Sequence, residues 1–570
     1  MKLSPNALKI LGKRYLKKDE KERPVETPEE MFRRVARAVS RADERYRSQK
    51  EVRKIEEEFY SVMSRLEFIP NSPTLMNAGR KLGQLSACFV LPIEDSIESI
   101  FGTIKDMARI HQSGGGTGFS FSRLRPKGDI VSSTMGPSSG PISFMEAYNT
   151  ATETIKQGGT RRGANMGILS VDHPDILDFI ACKRKEGKFV NFNISVAIPD
   201  RFMKAVEEDK KWELINPRTK KIVARISARR IFGLITEMIW RNGEPGVIFI
   251  DRINRDNPTP ELGRIESTNP CGEAPLLPYE SCILGSINLS KMVVDGEIDW
   301  KKLKKTIRAG VHFLDNVIDV NKYPLKEIKE MTLGNRKIGL GVMGFADMLI
   351  RLGIPYNSEE AVKMAEKIMS FISWEAKKKS QELAKERDPF SNCRKSIYSR
   401  GPKMRNATRT TIAPTGSISI IADCSSGIEP LYGITYLHEV LDEVRLLKEN
   451  PLFKEIAKRE GFYSAKLMKK ISRKGSVQGL KGIPRKYQRL FVTAPEISYK
   501  WHIKIQAAFQ KYTDNAVSKT INFGKEIKKG EVREAILLAY KSGLKGLTAY
   551  RQGSRARQAL SYCGYPYCVP

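Results

Sequence analysis

Apolar residues along this chain recur with two different periods, one helical and one short and block-like. Met31, Val35, Ala38, Val39 and Ala42 fall on one face of a helix, and the pattern predicts a helical region over 27–66. Its start is written in Thr27-Pro28-Glu29-Glu30. Thr27 serves as N-cap, Pro28 opens the first turn, and Glu30 reaches back to complete a capping box. Ile307, Val311, Leu314 and Ile318 step by four, three and four residues and predict a helix over about 301–321. A third helix is expected over about 358–387. Between such segments lie short apolar runs at 166–171, 247–250, 338–342 and 410–412, each bounded by Gly, Pro or a charged turn. Strands alternating with helices indicate an α/β architecture whose site is built from loops at strand ends. The last forty residues look less regular, and 561–570 read as a mobile tail.

Composition narrows the class. Of 570 residues, 40% are hydrophobic and 29% charged, which is the balance of a chain with a large folded core. No run of 18 apolar residues occurs, so no transmembrane helix is expected. The N-terminus lacks the apolar stretch of a secretory signal. Eight cysteines are too sparse for a disulfide scaffold, and a cytoplasmic setting follows as the expectation. Five histidines leave little material for a multi-histidine metal site, and no metal held by protein ligands is expected. The formal net charge of +33 favours anionic partners such as nucleotides. A solvated surface explains it as well, since clusters such as KKKSQELAKER at 377–387 pair their cations with glutamates along a helix. The basic residues form no groove-reading module, so no nucleic-acid partner is expected.

The densest chemistry lies in Ser267-Thr268-Asn269-Pro270-Cys271-Gly272-Glu273. An extended strand or a strand-like loop would turn Asn269, Cys271 and Glu273 to one side. A carboxylate beside a thiol raises the thiol pKa, which suits a hydrogen-atom donor better than a thiolate nucleophile. The carboxylate could then handle a hydroxyl proton. A turn holding a buried cysteine is the plain alternative. TIAPTGSIS at 411–419 offers backbone N–H groups and hydroxyls to an anion, and a capped turn is again the alternative. The pair in Cys563-Gly-Tyr-Pro-Tyr-Cys568 reads as half of a zinc knuckle or as a mobile dithiol.

The stretches NPCGE and ESCILGSINLS resemble the active-site strand and loop of ribonucleotide reductases. FIPNSPTLMNAG at 68–79, LSACFVLPIEDSIESIF at 85–101, GGTRRGANMGIL at 158–169, NRKIGLGVMGFADML at 335–349, TIAPTGSISIIADCSSGIEP at 411–430 and YTDNAVSKTINF at 512–523 agree with it. The likeness covers roughly 60–560. It implies a ten-stranded α/β barrel of two five-stranded halves with a central finger loop. A helical region at 1–66, a barrel at 67–555 and a dithiol tail at 556–570 would divide the chain. Cys271 would carry a thiyl radical that takes the 3′-hydrogen of the ribose. Glu273 would take the 3′-hydroxyl proton, and Asn269 would hold the substrate. Cys88 and Cys282 would supply two electrons by forming a disulfide. Ser72, Ala87, Pro414, Thr415, Gly416, Ser417 and Ile418 would bind the substrate, chiefly through its phosphates. Cys563 and Cys568 would recharge the disulfide, drawing on a thioredoxin-like reductant.

How the radical is made divides these enzymes. The region GLKGLTAYRQGSR holds one tyrosine, Tyr550, where enzymes with a separate metallo-radical subunit carry an adjacent pair. The glycyl-radical signature is missing too. The resemblance therefore implies adenosylcobalamin as cofactor, and LTAYRQGSR and TDNAVSKTIN look typical of that class. A large subunit needing a metallo-radical partner is the alternative. No Asp-x-His-x-x-Gly pattern supports a histidine ligand to cobalt. The likeness further implies a homodimer with a dNTP or ATP specificity effector at Asp95, Ser96, Ile97 and Arg125, and Arg161 reaching the substrate base from a glycine-rich loop. Asp95 could instead cap the helix that follows it. The segment before residue 27 is too short for the ATP-binding cone of some relatives, so no overall shut-off by dATP is expected.

Overall fold

The computed structural model describes all residues except 2, 132–134, 156–162, 441–443, 556–559 and 562–570. Helices form where the pattern places them. Thr27 caps Pro28–Ser40 through the capping box with Glu30. The expected 27–66 helix is in fact two, because Ser48 and Glu51 form a second capping box that starts Gln49–Ser64 after a break. The other two helices run Trp300–Val320 and Glu359–Arg387.

Ten strands build the main sheet: β1 Phe68–Pro70, β2 Cys88–Val90, β3 Gly116–Ser120, β4 Asn165–Ser170, β5 Phe192–Ile198, β6 Gly246–Phe249, β7 Ser281–Asn288, β8 Ile338–Met343, β9 Thr520–Phe523 and β10 Gly546–Arg551. Strands β2 to β6 lie parallel and in sequence order. A second parallel set contains β7 beside β8, then the segment 410–412, then β9 beside β10. Single bridges from Leu340 to Thr410 and from Ile412 to Val517 join its middle. The two sets meet antiparallel at β2–β7 and at β6–β10, which closes the ring. Leaving out β1, which pairs outside the ring with β7, and counting 410–412 gives a ten-stranded barrel of two five-stranded halves. The run 410–412 is thus a barrel strand that only single bridges mark. The stretch 529–551 is more regular than expected, since Lys529–Lys541 is helical and β10 follows it, while the tail expected to be mobile falls mostly outside the described residues.

Two hydrophobic cores fill the space between barrel and helices. One joins β7 and β8 to Trp300–Val320 and to the N-terminal helices, with Tyr15, Phe32, Phe59, Phe68 and Phe313 fully buried. The other lies against β3 to β6 around Phe119, Phe121, Tyr148 and Phe192. The N-terminal helices therefore share a core with half of the barrel and have none of their own. Among the described residues no helix is long and apolar enough to cross a membrane.

Candidate active site

Cys271 sits at the tip of a hairpin whose arms, Ser267–Thr268 and Pro275–Leu276, pair antiparallel. The expected extended strand is not there. The Asn269 carbonyl accepts a hydrogen bond from the Gly272 amide at 3.0 Å, and Gly272 adopts φ +79°, so the chain reverses at Pro270-Cys271. Glycine tolerates that backbone conformation. Asn269 and Glu273 come together because they stand on opposite arms, not because they alternate along one strand. Both are buried, at 1% and 2% exposure, whereas Cys271 is exposed.

The hairpin is fixed inside the barrel by close backbone approach. A Cβ at Gly118 on β3 would lie 1.7 Å from the Thr268 carbonyl oxygen, so only glycine permits the hairpin there. Asn193 on β5 donates to the Pro270 carbonyl at 2.7 Å. The Ala516 amide donates to the Glu273 carbonyl at 3.0 Å, and the Ala274 amide to Asn269 Oδ1 at 2.9 Å.

Register brings the other two cysteines together. Cys88 and Cys282 are directly opposed across the β2–β7 pair. Opposed residues of antiparallel strands have Cα atoms roughly 4.5–5.5 Å apart, within the span a disulfide bridges. Both are free thiols here, in a small apolar cluster with Ala87, Ala274 and Leu284. Asn269 donates to Cys88 Sγ at 3.1 Å. Burial pushes the Cys282 thiol pKa up, and the Glu273 charge pushes it further. Cys282 is therefore a protonated thiol near neutral pH, able to give up a hydrogen but not a ready thiolate.

Two cavities flank the hairpin tip and share Pro270, Cys271 and Pro414. The inner one, of about 320 Å³, is lined by Ser72, Ala87, Cys88, Asn269, Cys271, Glu273 and Pro414 through Ile418. Eleven of the twelve residues expected to react with the substrate or hold its phosphates thus face one volume; Cys282, opposed to Cys88, is the twelfth. Thr415 holds φ +56°, uncommon for a residue with a side chain, and its Oγ1 accepts from the Gly427 amide at 2.7 Å. Sequence reasoning missed Arg14, which lines the same cavity and donates to Ser417 Oγ at 3.4 Å from 403 residues away. It missed Tyr15 too, whose hydroxyl hydrogen-bonds that of Ser72 at 2.8 Å. No local motif carries such a contact.

The outer cavity, of about 540 Å³, opens above the ends of β6, β9 and β10. Gly246, Thr520 and Gly546–Ala549 line it, with Gln506, Ser518, Asn522 and Tyr550. Lys519 there is paired with Glu429 at 2.5 Å, and Glu244 with Lys183 at 2.5 Å. No histidine is among the described residues lining it. Gln506 donates to two carbonyls but keeps Oε1 buried without a hydrogen-bond partner, a polar atom available to a ligand. A large cofactor rich in amides and without need of a protein histidine fits this donor set.

Of the expected effector residues, Asp95, Ser96, Ile97 and Arg125 line neither cavity. Asp95 is not the helix cap; Ser96 is, accepting from the Ser99 amide at 3.1 Å. Asp95 instead accepts from the Arg125 amide at 3.1 Å and from Arg125 Nε at 2.8 Å. Arg161, Cys563 and Cys568 fall outside the described residues.

This barrel, with a cysteine-tipped hairpin and a cross-strand thiol pair, defines a class of protein. The family model "Ribonucleotide reductase, barrel domain" matches residues 86–550, and "Ribonucleotide reductase, all-alpha domain" matches residues 1–83. The chain belongs to the ribonucleotide reductase large-subunit family. It is 49% identical to a vitamin B12-dependent ribonucleoside-diphosphate reductase of Thermoplasma acidophilum, over 98% of this chain and 80% of that protein. A protein of the same description from Mycobacterium tuberculosis is 47% identical over 99% of this chain and 80% of its own length. The Actinobacillus ureae class Id ribonucleotide reductase alpha subunit shares the fold, with a TM-score of 0.79 at 23% identity over 97% of each chain.

Proposed function

We propose that this chain reduces ribonucleotides to 2′-deoxyribonucleotides by a thiyl-radical mechanism that depends on adenosylcobalamin. The observation that carries the reading is Cys271, poised between two cavities with an opposed thiol pair behind it. The relatives named as vitamin B12-dependent diphosphate reductases support the cofactor and the substrate class. The hairpin tip, Gln506, Ser518 and the ends of β6, β9 and β10 would hold the cofactor. When bound, it supplies a one-electron oxidant through homolysis of its cobalt–carbon bond.

The chain's own residues do the rest. The Cys271 sulfur, once it has lost its hydrogen atom, takes the 3′-hydrogen from the ribose in the inner cavity. Glu273 accepts the 3′-hydroxyl proton, and Asn269 keeps the sugar in register. The 2′-hydroxyl leaves as water, protonated by a thiol of the Cys88/Cys282 pair. That pair gives two electrons and becomes a disulfide, its second hydrogen taking the place of the hydroxyl at C2′; Glu273 returns its proton to the 3′-oxygen, and Cys271 returns its hydrogen to C3′. Serine and threonine hydroxyls with backbone amides over 415–418, together with Ser72, hold the phosphates beside Pro414. Residues 1–66 buttress the barrel at 67–555. In the tail at 556–570, Cys563 and Cys568 would reduce the disulfide and be reduced by a thioredoxin-like protein.

Asp95, Ser96, Ile97, Arg125 and Arg161 would form a dNTP or ATP specificity site at a homodimer interface. In support, Ile97 and Phe101 are 58% and 52% exposed one turn apart on Ile97–Gln112, an apolar stripe suited to burial against a second copy. The test is an assay of the purified chain with adenosylcobalamin, a ribonucleoside diphosphate and dithiothreitol, and no second protein. Deoxynucleotide formation is the expected result. Activity only on adding a metallo-radical subunit would establish the other reading.

A further inference from the structure

Arg14 belongs to the N-terminal helical region, yet it lines the inner cavity beside 414–418. Among the described residues lining that cavity, Arg14 is the one cation and Glu273 the one carboxylate. Its side chain is not a surface arginine swung inward; the residue is only 9% exposed. Several contacts hold it there. Leu11–Tyr15 forms a π turn directly after the helix Pro5–Ile10, closed by a bond from the Leu16 amide to the Leu11 carbonyl at 3.0 Å. Such wide turns are costly and cluster at functional sites. Arg80 donates to the Tyr15 carbonyl at 2.6 Å, and Tyr15 ties to Ser72 at 2.8 Å. The helix Pro5–Ile10 packs on the short helix Ile418–Ile421 that follows the phosphate loop.

Resting on the ribonucleotide reading above, we propose that Arg14 is the positive contact for the substrate's phosphates. The N-terminal helical region would then take part in substrate recognition as well as packing. A phosphate group entering a partly buried cavity loses solvation, which hydroxyls and amides offset only in part. A guanidinium already held near Ser417 meets that charge with a planar fork of donors suited to phosphate oxygens. A ligand without phosphate gains nothing from it, so Arg14 selects the phosphorylated ribonucleoside over the bare one.

The experiment measures equilibrium binding to the full chain without cofactor, so that no turnover occurs, using a ribonucleoside diphosphate and its parent ribonucleoside. Inorganic pyrophosphate serves as competitor. Loss of a charge-assisted contact predicts a roughly 10- to 100-fold weaker diphosphate affinity in Arg14→Gln, with nucleoside affinity unchanged. Arg14→Lys keeps the charge without the fork and should fall between. Equal nucleoside binding in all three proteins reports an intact cavity, and Arg14→Lys alone decides the matter if Arg14→Gln does not fold. Diphosphate affinity unchanged in a folded variant overturns the role of Arg14 alone. A parent chain that takes up no ribonucleoside diphosphate overturns the ribonucleotide reading along with it.

Discussion

Glu273 and Asp315 are both buried carboxylates, and the difference between their surroundings separates chemistry from support. Asp315 is wrapped in cations. Arg336 and Asn406 each donate to its Oδ1 at 2.9 Å, Arg405 to its Oδ2 at 3.2 Å, and Arg387 stands 3.6 Å away. The lattice continues through Asp319 on Arg336 and through Asp43, which Arg387, His312 and Asn316 contact. It ties the helix Trp300–Val320 to the N-terminal helices and to the end of Glu359–Arg387. Glu273 stands at the wall of a cavity, beside a thiol whose proton its charge helps retain. A carboxylate enclosed by guanidinium groups is locked in its ionised state. One that faces a cavity and thiols can exchange a proton with a ligand.

Substitutions can break that contrast, and the largest effect belongs to the hairpin. Cys271→Ser should lower deoxynucleotide formation by on the order of 10⁴ or more, the scale of losing an essential reacting group. Its thermal midpoint should stay near that of the parent, because the side chain is exposed. Parent-level turnover in this variant would remove the basis of the proposed chemistry. Gly118→Val tests placement rather than reactivity. The added atoms meet the Thr268 carbonyl, so the hairpin must shift, and a displacement of about 1 Å costs on the order of 10²-fold in rate. Steady-state kinetics on the folded variant gives the answer; an unchanged rate would show that the hairpin is not position-critical.

Asp315→Asn should invert the pattern. Removing one partner of a buried ionic cluster costs about 3–5 kcal/mol, seen as a lower denaturant midpoint, while the folded fraction keeps most of its specific activity. A large activity loss without a stability loss would erase the distinction between lattice and site. The smallest effect is a graded one with pH. Burial works to raise the Asp315 pKa, but Arg336, Arg405 and Arg387 hold it well below the usual carboxylate range. A depressed folded-state value means that this contribution to stability is complete above the unfolded-state pKa of roughly 4 and is lost as pH falls below it. Unfolding followed by circular dichroism between pH 6 and 3 should show that decline, and Asp315→Asn should flatten it.

Some of this molecule was legible before any coordinates. Thr27 and Glu30 and the four-three-four spacing from Ile307 determine helices because their signals are local: a cap or a face needs only residues a turn away. The blocks at 166–171, 247–250 and 338–342 become barrel strands for the same reason. The site's members were named by resemblance, but their arrangement was misread at 267–273. Alternation suggests a strand there, yet Gly272 and the Asn269 carbonyl reverse the chain, and Gly118 on another strand decides where the hairpin rests.

What the sequence alone determined, then, is the helices, the strand segments and the chemical types present at the site. Tertiary structure decided which of them meet: the Cys88–Cys282 opposition, the division of space by Cys271, and the reach of Arg14 into a loop four hundred residues on. Register and barrel closure depend on the sum of many weak, distant contacts, and no window of neighbouring residues contains that sum.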